Sequence, residues 1–338
     1  MTEPSGLEWD FGVGFKSSAD RVVGEAVERA QYASRMIQYN MPFLDDVLRG
    51  ILPHDLILLG ALTGAGKTEL AKQIAMYNAY KGKRVHYFAL EAEPNEIERR
   101  IKFALLAEYA SRAKRDCTGL NYPDWYLGQC ESIVGDFNEK AEDRMGKVLK
   151  TLFTYYRGKE FGHDDIKRLL LGIQSETDLI VLDHLHYVDI DDEDENRGFK
   201  QTVKMIRDVT LGMGKPMILV AHIRKAGTST KPRIIPSIDD FHGTSDISKI
   251  VTRAIMLAPA SRVLPIGGHR YANTFICAPK DRMGGASPLI AVCRFDKATS
   301  TYDEGYTLGR ATPDGSGFEE LEPDDVPRWA KHHQRLPT

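Results

Sequence analysis

The chain contains 338 residues, of which 42% are hydrophobic and 28% are charged, and its formal net charge is −3. This composition excludes a mainly disordered or collagen-like chain. Because there is no global basic field, any contact with nucleic acid has to use a local groove or ring lining.

Neither a membrane span nor a disulfide framework is expected. No apolar stretch reaches the ~20 residues that a membrane helix needs, and the N-terminus lacks the basic and apolar regions of a secretory signal. The four cysteines show no C-x-x-C spacing, which argues against a zinc site built on cysteines. A reducing cytoplasm is therefore the expected location, with no membrane partner.

The first predicted element is an amphipathic helix over residues 18–38, preceded by a loose arm. Small apolar residues such as Val22, Ala26 and Ala30 recur there at helical spacing, after an N-cap near Ser18. The apolar stripe is weak, so the helix is suited either to docking on another surface or to packing on its own domain. The pattern leaves both alternatives open.

Strands and helices alternate from residue 40 onward. The short apolar run Leu56–Leu59 is typical of a strand that is buried on both faces. The alternation predicts an α/β fold with a mostly parallel twisted sheet, flanked by helices and joined by right-handed crossovers. The predicted strands are 56–59, 84–90, 150–156, 178–183 and 216–221, and the predicted helices are 69–80, 96–110, 164–173 and 199–212.

The remaining parts of the chain have less regular patterns. Further strands are expected as antiparallel additions at one edge of the sheet, over 255–257, 274–278 and 289–295. Residues 112–145 have no legible pattern. Glycines, prolines and an acidic cluster predict a flexible C-terminal tail. The expected organisation is an N-terminal arm and helix over 1–39, the α/β domain over 40–310 and the acidic tail over 311–338.

The segment Ala61-Leu-Thr-Gly-Ala-Gly-Lys-Thr68 has the spacing and the strand–helix context of a phosphate-binding loop. Gly64 and Gly66 let the backbone turn its N–H groups towards a phosphate, and Lys67 places a positive charge near the β- and γ-phosphates. The Thr68 hydroxyl is of the kind that ligates Mg²⁺. Ala61 stands where the common pattern has glycine, which a small side chain tolerates. The predicted nucleotide-binding residues are Ala61, Thr63, Gly64, Ala65, Gly66, Lys67 and Thr68.

Three predicted strands end in residues that suit nucleotide hydrolysis. Asp183 is the expected second acid for Mg²⁺ and its water, and Glu91, with Glu93 as a nearby competitor, is the expected activator of the attacking water. His222 follows a third strand, where a neutral imidazole can hydrogen-bond the γ-phosphate. Because the carboxyl ends of parallel strands meet at one edge, these side chains are expected to lie near Lys67.

Taken together, the ordered motifs resemble the RecA-like ATPase domain of hexameric replicative helicases. That family includes bacterial DnaB, mitochondrial Twinkle and the helicase half of phage primase-helicases. The resemblance covers about residues 40–300 and is closest to the phage type, without a primase domain. It is carried by the segments 42–48, 55–60, 61–68, 88–91, 180–186, 194–197, 219–224, 239–246 and 278–282.

The resemblance implies a RecA-like P-loop NTPase core that uses ATP, or another NTP or dNTP, together with Mg²⁺. Thr68 and Asp183 would hold the metal ion. The implied catalytic residues are Glu91, Lys67, Asp183, His222, Arg282 and Lys280, of which the last two would reach the nucleotide of a neighbouring subunit. An arginine supplied in this way stabilises transition-state charge and is worth ~10³-fold or more in rate.

Two loops are expected to contact DNA. The resemblance places one of them at 239–246, where Phe241 and His242 stand in the neighbourhood in which DnaB-like proteins often place an arginine, so backbone N–H groups would make the contact. The basic loop 224–236 either adds charge to a central channel or is a solvated surface loop. The candidate DNA-binding residues are Arg224, Lys225, Gly243, Thr244 and Ser245.

The implied function is a replicative DNA helicase motor that forms a ring, hydrolyses NTP between subunits and translocates on single-stranded DNA to unwind duplex. Its expected partners are single-stranded DNA, other copies of the chain in a hexameric ring, and primase or polymerase through the C-terminal tail. The phage-like motifs imply a phage-encoded protein in the host cytoplasm. Two alternatives stay open, namely a RecA/RadA-like recombination mediator or helicase loader that binds DNA without unwinding, and a non-translocating ATP switch.

Overall fold

The computed structural model describes residues 18–22, 24–62, 64–190, 194–223, 233–236, 238–240, 247–266, 270–285, 287–296 and 298–330. The chain forms two units, Met1–Met36 and Ile37–Thr338. The boundary lies close to the predicted one at residue 39. Among the described residues, no helix combines the length and the apolarity that are needed to cross a bilayer.

The first unit contains two helices, α1 (Ser18–Val22) and α2 (Glu25–Arg35), where the sequence predicted one helix over 18–38. The interruption falls at Gly24, whose φ of +100° lies in the left-handed region that breaks a regular helix. The side chains of Val22 and Val27 are exposed in this unit. The weak apolar stripe seen in the sequence is therefore solvent-facing at these two positions.

The second unit is built on one twisted sheet. Within the described residues it has ten strands in the order β10-β9-β8-β7-β6-β1-β5-β4-β2-β3. The strands are β1 (Leu56–Ala61), β2 (Val85–Ala89), β3 (Leu152–Tyr156), β4 (Leu179–Asp183), β5 (Met217–His222), β6 (Arg253–Ile266), β7 (Arg270–Asp281), β8 (Ile290–Asp296), β9 (Thr301–Ala311) and β10 (Phe318–Glu320).

The predicted parallel sheet is confirmed over β1 to β6. Strand β1 pairs in parallel with both β5 and β6, and β2 pairs in parallel with β3 and β4. The first of the later strands, β6, was expected to be an antiparallel addition and instead continues the parallel sheet. The strands β7 to β10 are antiparallel, as predicted.

Helices cover both faces of the sheet, so its central strands are buried on both sides. In β1, Ile57 and Leu59 pack into one core while Leu56 and Leu58 pack into the other, which follows from the alternation of side chains along a strand. The helices of the second unit are α3 (Pro42–Leu48), α4 (Lys67–Tyr80), α5 (Glu96–Arg112), α6 (Tyr122–Tyr126), α7 (Glu131–Val134), α8 (Asn138–Leu149), α9 (His163–Ile173), α10 (Glu195–Met213) and α11 (Ile247–Ile250).

The segment 112–145, which has no legible sequence pattern, forms short helices that pack on α5. Phe103 of α5 lies 5.6 Å from the ring of Tyr122 and 5.5 Å from that of Trp125, both in α6. Helices of four and five residues are too short to show a full apolar period, which is why the pattern was unreadable.

The segment after residue 311 is more structured than a flexible tail, as far as it is described. Strand β10 pairs with β9, and Val326 and Ala330 are buried in the same core as β1. Glycines and prolines there serve tight turns between packed residues, so composition alone suggested mobility. Residues 331–338, the rest of the predicted tail, lie outside the described residues.

Candidate functional site

The predicted phosphate-binding loop joins β1 to α4 at the carboxyl edge of the parallel strands. Gly64 and Gly66 have φ values of +78° and +84°, which only glycine adopts without strain. Helix α4 then begins at Lys67, so its first backbone N–H groups point into the loop, where the helix dipole favours an anion. Ala61 is the last residue of β1, and Thr63 lies outside the described residues.

Asp183 and Thr68 lie together beneath this loop, as the sequence predicts. The Thr68 hydroxyl donates to Asp183 Oδ1 at 3.3 Å, and the phenol of Tyr87 in β2 donates to Asp183 Oδ2 at 2.7 Å. Tyr87 was not anticipated, because a buried aromatic residue in a strand is indistinguishable from a core residue in the sequence. Its hydrogen bond fixes the carboxylate with one oxygen towards Thr68.

The surroundings of Asp183 suit a divalent cation. Burial raises the pKa of Asp183 to about 6, against the hydrogen bonds from Tyr87 and Thr68 and the charge of Lys67. A buried carboxylate beside a hydroxyl, with little cationic compensation, is a donor set for a hard ion such as Mg²⁺. These two side chains therefore fit the metal ion that the sequence predicts.

Lys67 and His222 are in direct contact. The Lys67 ammonium lies 3.1 Å from Nδ1 and 3.4 Å from Nε2 of His222, because Ala61 and His222 are register partners on adjacent strands. Burial lowers the pKa of Lys67, and the carboxylates of Asp183 and Glu91 oppose that shift. A phosphate placed between the two side chains would take over the lysine and leave the imidazole facing the anion.

Glu91, and not Glu93, faces this group. Glu91 Oε2 lies 2.9 Å from Nε2 of His184, whereas Glu93 forms an exposed ion pair with Arg99 at 3.2 Å. Burial, followed by the nearby charges of His222 and Lys67, lowers the pKa of His184 to about 3, so its imidazole is neutral and the contact with Glu91 is not an ion pair. The geometry thus favours the acid that directly follows the strand.

A cavity of about 300 Å³ opens beside the loop, large enough for part of a nucleotide. The loop residues Gly64, Gly66, Lys67 and Thr68 form one wall, and its other lining residues are Glu69, Arg100, Phe295 and Ser300. Glu69 is buried and paired with Arg100 at 2.7 Å, which places one neutralised charge pair at the rim.

The loop is held from behind by Tyr302 of β9. Its hydroxyl lies 3.2 Å from the carbonyl oxygen of Ala65 and 3.1 Å from that of Gly66. A Cβ atom on Gly66 would collide with this hydroxyl, so glycine is required there for space as well as for its positive φ. Sequence reasoning missed Tyr302 because it lies more than 230 residues from its partners.

Lys280 and Arg282 lie at the opposite edge of the sheet. In the antiparallel pairing, Asp281 is opposite Arg253 at the start of β6, while Ala61 is level with Leu257 further along the same strand. The four intervening residues correspond to roughly 13 Å of strand. The structure therefore does not bring these two cations to the loop of the same chain.

These cations form a small basic cluster with Arg207 of α10. Burial, followed by the charges of Arg282 and Arg207, lowers the pKa of Lys280, and burial together with Arg282 lowers that of Arg207. The Lys280 ammonium donates to the carbonyl oxygen of Ser248, and Arg207 donates to that of His54 at 2.5 Å. Carbonyls hold the side chains in place while their charges repel one another, which is the electrostatic setting of an anion site.

The candidate DNA-binding residues Arg224, Lys225, Gly243, Thr244 and Ser245 all lie outside the described residues. The described chain leads directly to them. Ile223 is buried immediately after His222, and α11 begins at Ile247 and buries that residue. Both unplaced segments are therefore joined to packed parts of the core.

Three comparisons place this fold among known proteins. The ATPase domain of a phage helicase superposes with a TM-score of 0.65 at 12% identity, covering 85% of this chain and 99% of that one. A DnaB-like replicative helicase, solved in a study of its interactions with primase, gives 0.63 at 12% identity over 85% of this chain and 67% of that one. A KaiC-like protein from Pyrococcus horikoshii gives 0.50 at 14% identity, over 81% and 98% of the two chains.

These likenesses confirm the predicted RecA-like fold. A search of curated protein sequences gave no match. The model of the AAA domain family matches residues 27–228, a range that contains the phosphate-binding loop, Glu91, Asp183 and His222. Since this match spans more than half of the sequence, the chain belongs to the AAA domain family.

Proposed function

We propose that the protein is an ATP-dependent DNA helicase motor whose nucleotide sites lie between neighbouring copies in a ring. The observation that carries the proposal is the separation of the two charged groups. One sheet edge has a phosphate loop with two carboxylates, and the other has the basic cluster of Lys280, Arg282 and Arg207. Head-to-tail contact joins unlike edges, and it closes into a ring when the rotation allows.

The side chains of the loop edge would divide the chemistry among them. Lys67 would neutralise phosphate charge, and Mg²⁺, when bound by Thr68 and Asp183, supplies positive charge to the phosphate oxygens. Glu91 would accept a proton from the attacking water, since it is the half-exposed carboxylate nearest to the phosphate end. Arg282 of a neighbouring copy would then stabilise the charge that develops as the γ-phosphate leaves.

The same edge offers a short route from nucleotide to DNA. His222 contacts Lys67, so loss of the γ-phosphate would change its hydrogen bonding. Arg224 and Lys225 follow it after one buried residue, Ile223. A small movement of His222 would thus reach residues that are suited to the phosphate backbone of single-stranded DNA. This coupling is part of the proposal.

The decisive experiment measures ATP hydrolysis with and without single-stranded DNA, followed by unwinding of a forked duplex. We expect DNA to stimulate hydrolysis, and Lys67→Ala to lower the rate by about 10²- to 10³-fold. Lys81→Ala, at the other end of α4, is the matched control and should hydrolyse ATP at the wild-type rate. A rate that DNA leaves unchanged would contradict the motor and favour an ATP switch.

The recombination mediator or loader is the second candidate. It shares the ATPase site and DNA binding, so hydrolysis alone does not separate the two. DNA-stimulated hydrolysis without unwinding, together with filaments instead of rings in negative-stain images, would favour it.

A further inference from the structure

Two histidines and one carboxylate converge at the loop edge outside the Mg²⁺ ligands. Among the residues that the structure describes, Glu91, His184 and His222 form the group whose potential ligand atoms all lie within 4.8 Å of one another. They come from the ends of three neighbouring parallel strands, β2, β4 and β5. The hydrolysis scheme uses Glu91 and His222 and gives no role to His184.

His184 is the central residue of this group. It is 1% exposed, yet neither of its ring nitrogens makes a hydrogen bond of acceptable geometry, although Nε2 lies only 2.9 Å from Glu91 Oε2. Its ring centre is 4.3 Å from that of His222. A buried imidazole without a hydrogen-bond partner is costly unless another group satisfies it. The nitrogen directed towards Glu91 is placed to bind a cation between the two.

The donor set selects the kind of cation. Mg²⁺ prefers six oxygen ligands, whereas two imidazoles with one carboxylate match Zn²⁺ and related transition-metal ions. Zinc bonds of about 2.0 Å in a tetrahedron require ligand atoms closer together than the 4.8 Å found here. The half-exposed, unbranched side chain of Glu91 can supply the necessary movement, since its position is not fixed by packing.

We infer that Glu91, His184 and His222 form a binding site for Zn²⁺ or a similar transition-metal ion in the nucleotide-free protein. The bound ion leaves a fourth position for water and lies apart from the Thr68 and Asp183 pair. Under the proposed function, on which this consequence rests, the ion removes Glu91 and His222 from the reaction and inhibits ATP hydrolysis.

Lys67 gives the inference a test with a characteristic sign. Its ammonium contacts both nitrogens of His222, so it opposes a second cation and must move when the ion binds. Removing this charge favours the metal ion, whereas removing a ligand disfavours it. A surface site elsewhere on the chain would respond to neither change.

The experiment titrates Zn²⁺ into nucleotide-free, Mg²⁺-free protein in competition with a chromophoric zinc chelator. We expect one equivalent to bind, and expect Glu91→Gln and His222→Gln each to weaken binding about tenfold or more. Lys67→Met should tighten it. His163→Asn, in a partly buried histidine of α9, is the matched control and should bind as the wild type does.

His184→Asn should abolish the remaining affinity, and circular dichroism must show that this buried variant is folded. Wild-type affinity in both Glu91→Gln and His222→Gln would overturn the inference, as would a Lys67→Met variant that binds Zn²⁺ no tighter than the wild type.

A second measurement separates this inference from the proposed function. In chelator-buffered Zn²⁺, ATP hydrolysis should fall with occupancy of the site and should not recover when Mg²⁺ is raised. Because binding is titrated without nucleotide, a protein that fails to hydrolyse ATP would still show the metal site. Conversely, full hydrolysis in protein that does not bind Zn²⁺ would leave the motor intact and remove the metal site alone.

Discussion

The two edges of the sheet differ in the charge that they offer to a nucleotide. At the carboxyl edge of the parallel strands, a glycine loop and one lysine stand beside the carboxylates of Asp183 and Glu91. At the opposite edge, Lys280, Arg282 and Arg207 lie close enough to depress the pKa of Lys280. Each edge is an incomplete site for a triphosphate, and roughly 13 Å of strand keeps them apart.

This difference teaches that the chain distributes cations by role. Arg253, also at the far edge, is 1% exposed and pairs with Asp55 at 2.9 Å and Asp281 at 3.0 Å. It is fully neutralised, whereas Arg282 is exposed. One arginine thus stabilises the fold and the other remains available to a partner of opposite charge.

The sharpest way to break the comparison is Arg282→Ala. If this arginine acts on a neighbour's nucleotide, hydrolysis should fall by ~10³-fold, because the developing charge loses its stabiliser. Mixing this variant with Asp183→Asn should restore part of the rate, since an intact loop of one then meets an intact arginine of the other. Arg168→Ala, an exposed arginine of α9, serves as the control. Absence of any recovery on mixing would place the arginine outside a shared site.

Arg253→Met tests the structural arginine of the same edge. It leaves Asp55 and Asp281 buried without their partner, which should lower the free energy of unfolding by about 3 kcal/mol or more. Urea denaturation measures the loss, and Arg112→Met, on an exposed i,i+4 pair, should change stability by less than about 1 kcal/mol. If mixing with Asp183→Asn rescued Arg253→Met, the division of roles between the two arginines would be wrong.

Asp183→Asn sharpens the comparison from the loop edge, where function should cost stability. Burial raises the folded-state pKa of Asp183 to about 6 from an ordinary 3.8, so the folded protein binds this proton more tightly than the unfolded chain does. The destabilisation is therefore absent below about pH 4 and complete above about pH 6, where it amounts to about 2 kcal/mol.

Without Mg²⁺ and nucleotide, the asparagine variant should thus be more stable than the wild type at pH 8, and the difference should shrink as pH falls to 4. Denaturation curves at several pH values measure this. An advantage that did not change with pH would mean that the carboxylate charge is not its source.

Much of the fold could be predicted from the sequence because apolar periodicity carries it. The strands β1 to β5 and the helices α4, α5, α9 and α10 appear within a few residues of their predicted bounds. Helix α10 begins earlier than predicted because the Asp194 side chain accepts hydrogen bonds from the N–H groups of Asn196 and Arg197. The phosphate loop and the strand-end residues were also found, since their spacing and their position after apolar runs are local signals.

What the sequence could not provide are contacts between distant segments. Tyr87 and Tyr302 read as core aromatics, and Arg207 reads as one charge on a solvated helix face. His184 lies beside the predicted Asp183, but its burial and its missing hydrogen bonds depend on β2 and β5 packing around it. In each case the role depends on which strands are neighbours, which no local pattern specifies.

Tyr302→Phe tests the smallest of these contributions. The hydroxyl supports the loop through the carbonyl oxygens of Ala65 and Gly66, and that of Gly66 retains its hydrogen bond from the N–H of Leu70. The expected cost is therefore only about 1 kcal/mol, corresponding to about fivefold weaker nucleotide binding. Binding of a fluorescent nucleotide measures it, with Tyr80→Phe on an exposed ring as the control. Equal affinity in the two variants would mean that the glycines alone hold the loop, and that the carboxyl edge is preformed without help from the antiparallel strands.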